Sequence, residues 1–211
     1  MVTRSIRAKF LRRYTHLPSL LGLLRTRQLS LLSPTSWEDK NDRVFMEQYS
    51  IQKNLSTLVG ICFSQAAETF HHWKIFAPGN AGVCIEFHKE ALLASIPPKG
   101  FRHRRVTYKK PVSLIGGYST ISELPFIKGW AFRDEKEYRI IFESESETLQ
   151  SHNIPIELNS IRSVVTSPWL PKSLFDATRS AINEIPGCED IPVVSSMVID
   201  NEHWQNFARM V

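Results

Sequence analysis

Phe126-Ile127-Lys128-Gly129-Trp130-Ala131-Phe132-Arg133-Asp134-Glu135-Lys136-Glu137-Tyr138-Arg139-Ile140-Ile141-Phe142 passes from a polar, aromatic loop straight into an apolar strand. The run over 138–142 has the aromatic and β-branched residues of a strand, and the loop ahead of it holds Lys128, Trp130 and Glu135. A sheet fixes whatever carboxylate stands at the mouth of a strand, while the preceding loop can meet a substrate. Glu137 is therefore the first candidate for chemistry. The competing reading makes Glu137 and Arg139 outward residues of an edge strand, paired across two positions on one side.

Outward from this segment, short apolar runs at 29–32, 58–63, 83–87, 106–108, 154–158, 161–165 and 191–194 read as further strands. Leu17, Leu20, Leu21 and Leu24 recur at helical spacing, and Pro18 is tolerated in a first turn, so 18–28 reads as an amphipathic helix. Helices are also expected over 89–95, ended by Pro97-Pro98, and over 174–185. Glu38-Asp39-Lys40-Asn41-Asp42 has turn and loop chemistry, Pro78-Gly79-Asn80 reads as a turn, and the acidic run 143–147 reads as a solvated loop. Strands outnumber helices and do not alternate with them in a βαβ rhythm, which predicts an α+β fold rather than a doubly wound parallel sheet.

The 211 residues suit a single domain, with a core over about 11–195, a basic amino-terminal segment and a short carboxy-terminal tail. With 42% hydrophobic and 22% charged residues, the chain can build a core and falls outside the disordered and fibrous classes. Apolar runs stop short of the roughly 18 residues a membrane helix needs, since Arg25, Arg27 and Gln28 break the best candidate. The Leu-rich amino-terminal region is followed by no small-residue cleavage site and reads as mature protein. Cys62, Cys84 and Cys188 are odd in number and widely spaced, which fits a reducing cytoplasm and no disulfide framework. His71-His72 lacks a suitably spaced third ligand, so no metal site is expected.

The 26 Lys and Arg exceed the 21 Asp and Glu by five, and they cluster. Arg4, Arg7, Lys9, Arg12, Arg13, Arg25 and Arg27 precede the first acid, Glu38, and Lys99, Arg102, Arg104, Arg105, Lys109 and Lys110 form a second group. Such patches attract polyanions, which makes nucleic acid or a phosphorylated ligand a natural partner. The glycine-rich nucleotide loops, the His-Glu-x-x-His zinc motif and the Gly-x-Ser-x-Gly elbow are all missing, and the enzyme classes built on them lose support.

Several short motifs then fall in a recognisable order: Arg12-Arg13-Tyr14 ahead of the Leu-rich helix, Leu29-Ser30-Leu31, and Ser33-Pro34-Thr35-Ser36-Trp37 with Asn41-Asp42. They are followed by Cys62-Phe63-Ser64, Trp73 with Phe76, Gly82-Val83-Cys84-Ile85-Glu86-Phe87, and Trp130 with Glu135-Lys136-Glu137-Tyr138-Arg139. This order resembles the bacterial domain of unknown function 2971 family over about 11–195. The family's Phe-Asn-Asp-Pro element stands here as Trp37-Glu38-Asp39-Lys40-Asn41-Asp42, without the proline, and its Trp-x-x-Tyr-Ala as Trp73-Lys74-Ile75-Phe76-Ala77, without the phenol.

The arrangement is also similar to the ADP-ribosyltransferase superfamily. That resemblance implies small split mixed or antiparallel sheets with flanking helices, and NAD bound as substrate. It implies Arg13 or Arg12 as a pyrophosphate clamp beside Tyr14, Ser64 as an orienting hydroxyl, and Trp73 or Phe76 as a stacking ring. It further implies Glu137 as the carboxylate that grips the nicotinamide ribose, Glu135 as the residue facing the acceptor, and Arg139 on the cofactor side. The acceptor would be nucleic acid or protein, the setting a bacterial toxin or phage-defence effector, and an antitoxin a natural partner. If water were the acceptor the chain would be an NAD glycohydrolase; a non-catalytic nucleic-acid-binding or regulatory module of the same fold is the alternative from another class.

Overall fold

The apolar run that starts at Glu137 is buried along most of its length because it has a hydrogen-bonded strand on each side. A computed structural model describes residues 9–114 and 120–210. In chain order the elements are β1 (Phe10–His16), α1 (Leu17–Thr26), β2 (Gln28–Leu32), α2 (Lys40–Gln52), β3 (Thr57–Ser64), α3 (Phe70–Phe76), β4 (Gly82–His88) and α4 (Lys89–Ala94). They continue with β5 (Phe101–Arg105), β6 (Thr107–Lys109), β7 (Ile127–Gly129), β8 (Glu137–Ser144), β9 (Ser151–Pro155), β10 (Ile161–Thr166), α5 (Lys172–Asn183), β11 (Val193–Ser195) and α6 (Glu202–Met210). The fold is α+β, with a mixed sheet and flanking helices. Among the described residues no helix is long and apolar enough to cross a membrane.

Two compact units emerge from the packing. The first contains β1, α1, α3, β4, β10, α5, β11 and α6. Its sheet runs β1-β4-β10-β11, antiparallel at the first two pairings and parallel at the last. Tyr14, Trp73, Ala77 and Cys84 pack together there, with Val165, Trp169 and Val198 against them. The second unit contains β2, α2, β3 and β5 to β9. Its sheet runs β5-β8-β3-β2-β9, antiparallel throughout, while β6 and β7 form a separate parallel pair. Met46 and Tyr49 of α2 pack with Phe126 and Ile141, under Trp37, Leu55, Leu58 and Leu124.

Several expectations are corrected. Glu137 and Arg139 stand on a central strand, not an edge: β8 is hydrogen-bonded to β3 on one side and β5 on the other, and both side chains are buried. The stretch 38–42 is not all loop: Asp39 caps α2, its carboxylate accepting from the Asn41 N–H at 2.9 Å, and the helix starts at Lys40. Asp is favoured equally in turns and at N-caps, and the helix behind it buries only Asp42, Met46 and Tyr49, too sparse a stripe to announce itself. The strand expected over 154–158 is Ser151–Pro155, because the polar Ser151, His152 and Asn153 complete the pairing with β2. The strand at 106–108 shifts to Thr107–Lys109, and the basic Phe101–Arg105 before it is a strand as well. Arg102 and Arg104 are accommodated there by lying over the Phe126 ring, 5.3 and 5.2 Å from its centroid. The acidic run is loop only in part, since β8 extends to Ser144. Arg4 and Arg7 lie outside the described residues.

Gly82 opens β4 where a Cβ would overlap the Ala77 carbonyl oxygen, whereas a Cβ on Gly22, on the exposed side of α1, meets nothing within 4 Å. Gly82→Ala is expected to destabilise the fold by about 1–3 kcal/mol, and Gly22→Ala to stabilise it by about 0.5–1 kcal/mol, in denaturant titrations.

Candidate active site

Glu137 is the first residue of β8 and is paired in register with Ser64, the last residue of β3. Both neighbours pin its backbone: its N–H donates to the Tyr108 hydroxyl (2.7 Å), and its carbonyl accepts from the Val106 N–H (2.9 Å). The loop ahead of it reaches β8 through Lys136, whose φ of 45° is left-handed and turns the chain sharply. The Gln65 N–H binds the Lys136 carbonyl at 3.0 Å, and the Ser64 hydroxyl donates to the Glu135 carbonyl at 2.7 Å. Ser64 thus holds the backbone of the loop that carries Glu135.

A charge cluster occupies the same place. Arg139 is fully buried, and its Nε donates to Glu137 Oε1 at 2.7 Å. Nη1 donates to Asp42 Oδ1 at 2.9 Å and to the Pro125 carbonyl at 2.8 Å, and Nη2 donates to Asp42 Oδ2 at 2.6 Å. The guanidinium lies 4.6 Å from the centroid of the Trp37 ring. On the other side of Glu137, the Lys128 ammonium reaches Oε2 at 3.1 Å and Glu135 Oε2 at 2.7 Å, bridging the two carboxyl groups.

Two cations here meet three carboxyl groups, and that imbalance sets the titration. Burial opposes the ionisation of Glu137, but Arg139 and Lys128 outweigh it and pull the carboxyl down to about 2, helped by a hydrogen bond from Cys62. For Glu135 burial wins: despite the Lys128 bond, desolvation and the neighbouring Glu137 and Asp42 push its carboxyl up to about 7. Burial likewise raises Asp42 against the pull of Arg139, and burial pushes the Tyr108 phenol above its ordinary range. The product is one carboxylate that stays ionised and a second, two residues earlier, that exchanges its proton near neutrality, the division of labour acid–base catalysis requires.

Of the residues expected at a site, Ser64, Glu135, Glu137 and Arg139 come together in the second unit. Arg139 has its guanidinium directed to protein groups, so it acts on Glu137. The other five belong to the first unit. Arg12 Nε donates to Glu86 at 2.7 Å, and Glu86 also accepts from Arg162 (2.6 Å) and Ser163 (3.0 Å). Strand alternation turns Arg13 to the opposite face of β1, with Leu11 and Thr15. Tyr14 and Trp73 are core residues; Trp73 is fully buried, donates its indole N–H to Glu68 at 2.7 Å and meets Tyr14 edge-on, so no face of its ring is open for stacking. Phe76 is 39% exposed, with the rings of Tyr14 and His72 beside it.

Sequence reasoning missed Asp42 and Tyr108 as members of the cluster. Asp42, Met46 and Tyr49 at i, i+4 and i+7 form the buried face of a capped helix, the one signal from which Asp42 was legible. Nothing local singles out Tyr108.

No family model matches the chain, that of the domain of unknown function 2971 family included, and no curated protein matches it. Among solved structures it is similar to Thermus sp. 2.9 DarT in complex with ADP-ribosylated single-stranded DNA, at 14% identity and a TM-score of 0.47 over 90% of this chain and 94% of that one. It is similar also to the same protein in complex with NAD+, at 10% identity and a TM-score of 0.46 over 90% and 96%.

Stability follows from the two opposed carboxyls. Between the ordinary value of 4.5 and about 7 the folded protein keeps a proton on Glu135 that the unfolded chain has released, so stability falls as pH rises through that window. Glu137 does the reverse, losing its contribution as pH drops from 4.5 towards about 2. Glu135→Gln is expected to raise stability at pH 8 by on the order of 2 kcal/mol, and the gain should vanish near pH 4, in thermal melts across pH.

Proposed function

We propose that the chain is an NAD-dependent ADP-ribosyltransferase in which Glu137 and Glu135 are the catalytic pair. The observation that carries this reading is the pair of carboxyl groups bridged by one ammonium, one held ionised and the other titrating near neutrality. Together with the order of sequence motifs, it matches what glycosyl transfer from NAD demands.

As the bond between the ribose carbon and the nicotinamide nitrogen breaks, its electron pair leaves with nicotinamide and positive charge develops on the ribose. A carboxylate fixed in a water-poor setting stabilises that charge and accepts a hydrogen bond from a ribose hydroxyl, the role assigned to Glu137. The acceptor then bonds to the same carbon, and its proton passes to Glu135, whose carboxyl is poised to take it. Lys128 keeps the two carboxyl groups apart in role by bonding to both. The resemblance assigns the pyrophosphate clamp to Arg13 or Arg12. Phe76 replaces Trp73 as the candidate stacking ring.

For the acceptor, the second basic cluster favours a polyanion, although part of it is used internally. Arg102 donates to Tyr49 and to the Ser122 carbonyl, and Arg104 lies over Phe126, whereas Lys99, Arg105 and Lys110 are exposed. Nucleic acid is the acceptor this supports, in the setting of a toxin or defence effector.

The test is nicotinamide release from NAD by purified protein, with and without RNA, DNA or cell lysate. Glu137→Gln, which removes a counter-ion of the buried Arg139, is expected to lower stability and, where circular dichroism shows it folded, to bind NAD yet lower the rate on the order of 10²-fold or more. Wild-type turnover in that variant, or no release by the wild type in any mixture, would overturn the reading; release with water alone as acceptor would make the chain a glycohydrolase.

A further inference from the structure

We infer that Asp42 is the positioning residue of the carboxyl pair: it anchors the Arg139 fork, the fork aims Glu137, and its charge completes an excess of carboxyl groups over cations beside Glu135. The inference rests on the reading of Glu135 and Glu137 as the reacting pair.

Asp42 lies in the first turn of α2, far along the chain from β8, yet both its oxygens accept from the two Nη atoms of Arg139. Paired oxygens on a guanidinium fork are the geometry of a carboxylate, and the fork fixes the plane of the guanidinium. With that plane fixed, Nε can point only along one direction, and Glu137 Oε1 lies on it at 2.7 Å. No substrate need touch Asp42 for it to set where Glu137 stands.

Its charge matters as much as its geometry. The groups facing one another are Asp42 from α2, Lys128 from β7, Glu135 from the turn before β8, Glu137 and Arg139 from β8, Cys62 and Ser64 from β3, and Tyr108 from β6. Three carboxyl groups face two cations, Arg139 held by Asp42 and Glu137 and Lys128 shared by Glu135 (2.7 Å) and Glu137 (3.1 Å), so the Asp42 charge leaves the cluster one anion in excess. Burial is the main cause that raises Glu135 towards about 7, and the charges of Glu137 and then Asp42 add to it. Without the Asp42 charge, Glu135 becomes a required counter-ion and ionises at lower pH.

The experiment is a carboxyl ¹³C NMR titration of the full chain, run beside the pH profile of nicotinamide release. Asp42→Asn is expected to lower the Glu135 midpoint by about one pH unit or more and to move the acid limb of the profile down with it. Asp42→Glu, which restores the charge, is expected to return both towards wild type. A Glu135 midpoint unmoved by Asp42→Asn, or moved equally by both variants, would overturn the inference whether or not the protein consumes NAD. If Asp42→Asn does not fold, the wild-type titration decides: Glu135 should titrate near neutrality, and a Glu135 midpoint in the ordinary carboxyl range would overturn the proposal. Absence of nicotinamide release with the expected midpoints intact would sink the transferase reading alone.

Discussion

A guanidinium shut away from water has to be answered by anions, and Arg139 is answered twice. Asp42 takes the fork, Glu137 takes Nε, and the Pro125 carbonyl and the Trp37 ring complete the surroundings. Burying a charge costs several kcal/mol unless geometry and hydrogen bonding offset it, so these contacts are a condition for Arg139 to be there at all. They tie the first turn of α2, the segment before β7 and the mouth of β8 to a single point. The orientation of Glu137, the bridge to Lys128 and the excess of carboxyl groups over cations beside Glu135 all follow from it.

Glu86 offers an instructive contrast. It too sits between two guanidinium groups, Arg12 and Arg162, with Ser163 as a third donor. Here, though, the cations outnumber the carboxylate, and the Arg162 side chain is 45% exposed. Water can screen that pair. The cluster around Arg139 has the opposite excess in a buried setting, and buried excess charge moves a proton equilibrium towards neutrality.

Many basic residues of this chain are engaged in packing. Arg102 and Arg104 lie over Phe126, Arg139 over Trp37 and Arg162 over Phe10. A basic strand such as Phe101–Arg105 therefore fits beside β8, with the guanidinium groups of Arg102 and Arg104 lying over an aromatic ring.

The sequence by itself determined the local elements with strong periodicity, namely the strands at β3, β4, β8 and β10 and the Leu-rich helix α1, because apolar runs of period two or 3.6 need only their own residues to be recognised. It also placed Glu137 at the mouth of a strand, where a rigid sheet meets a loop, while Ser64 and the pairing of Glu135 with Glu137 were named through the resemblance. The capped helix α2 and the basic strand β5 stayed hidden, since a sparse apolar stripe and a run of arginines resemble loop. Only the tertiary structure decided that Trp73 is core, that Arg139 serves Glu137, and that Asp42 belongs to the site. The physical reason is that charge and burial are properties of neighbourhoods: Asp42 and Arg139 are 97 residues apart in sequence and 2.6 Å apart in space, and no local pattern of residues encodes that meeting.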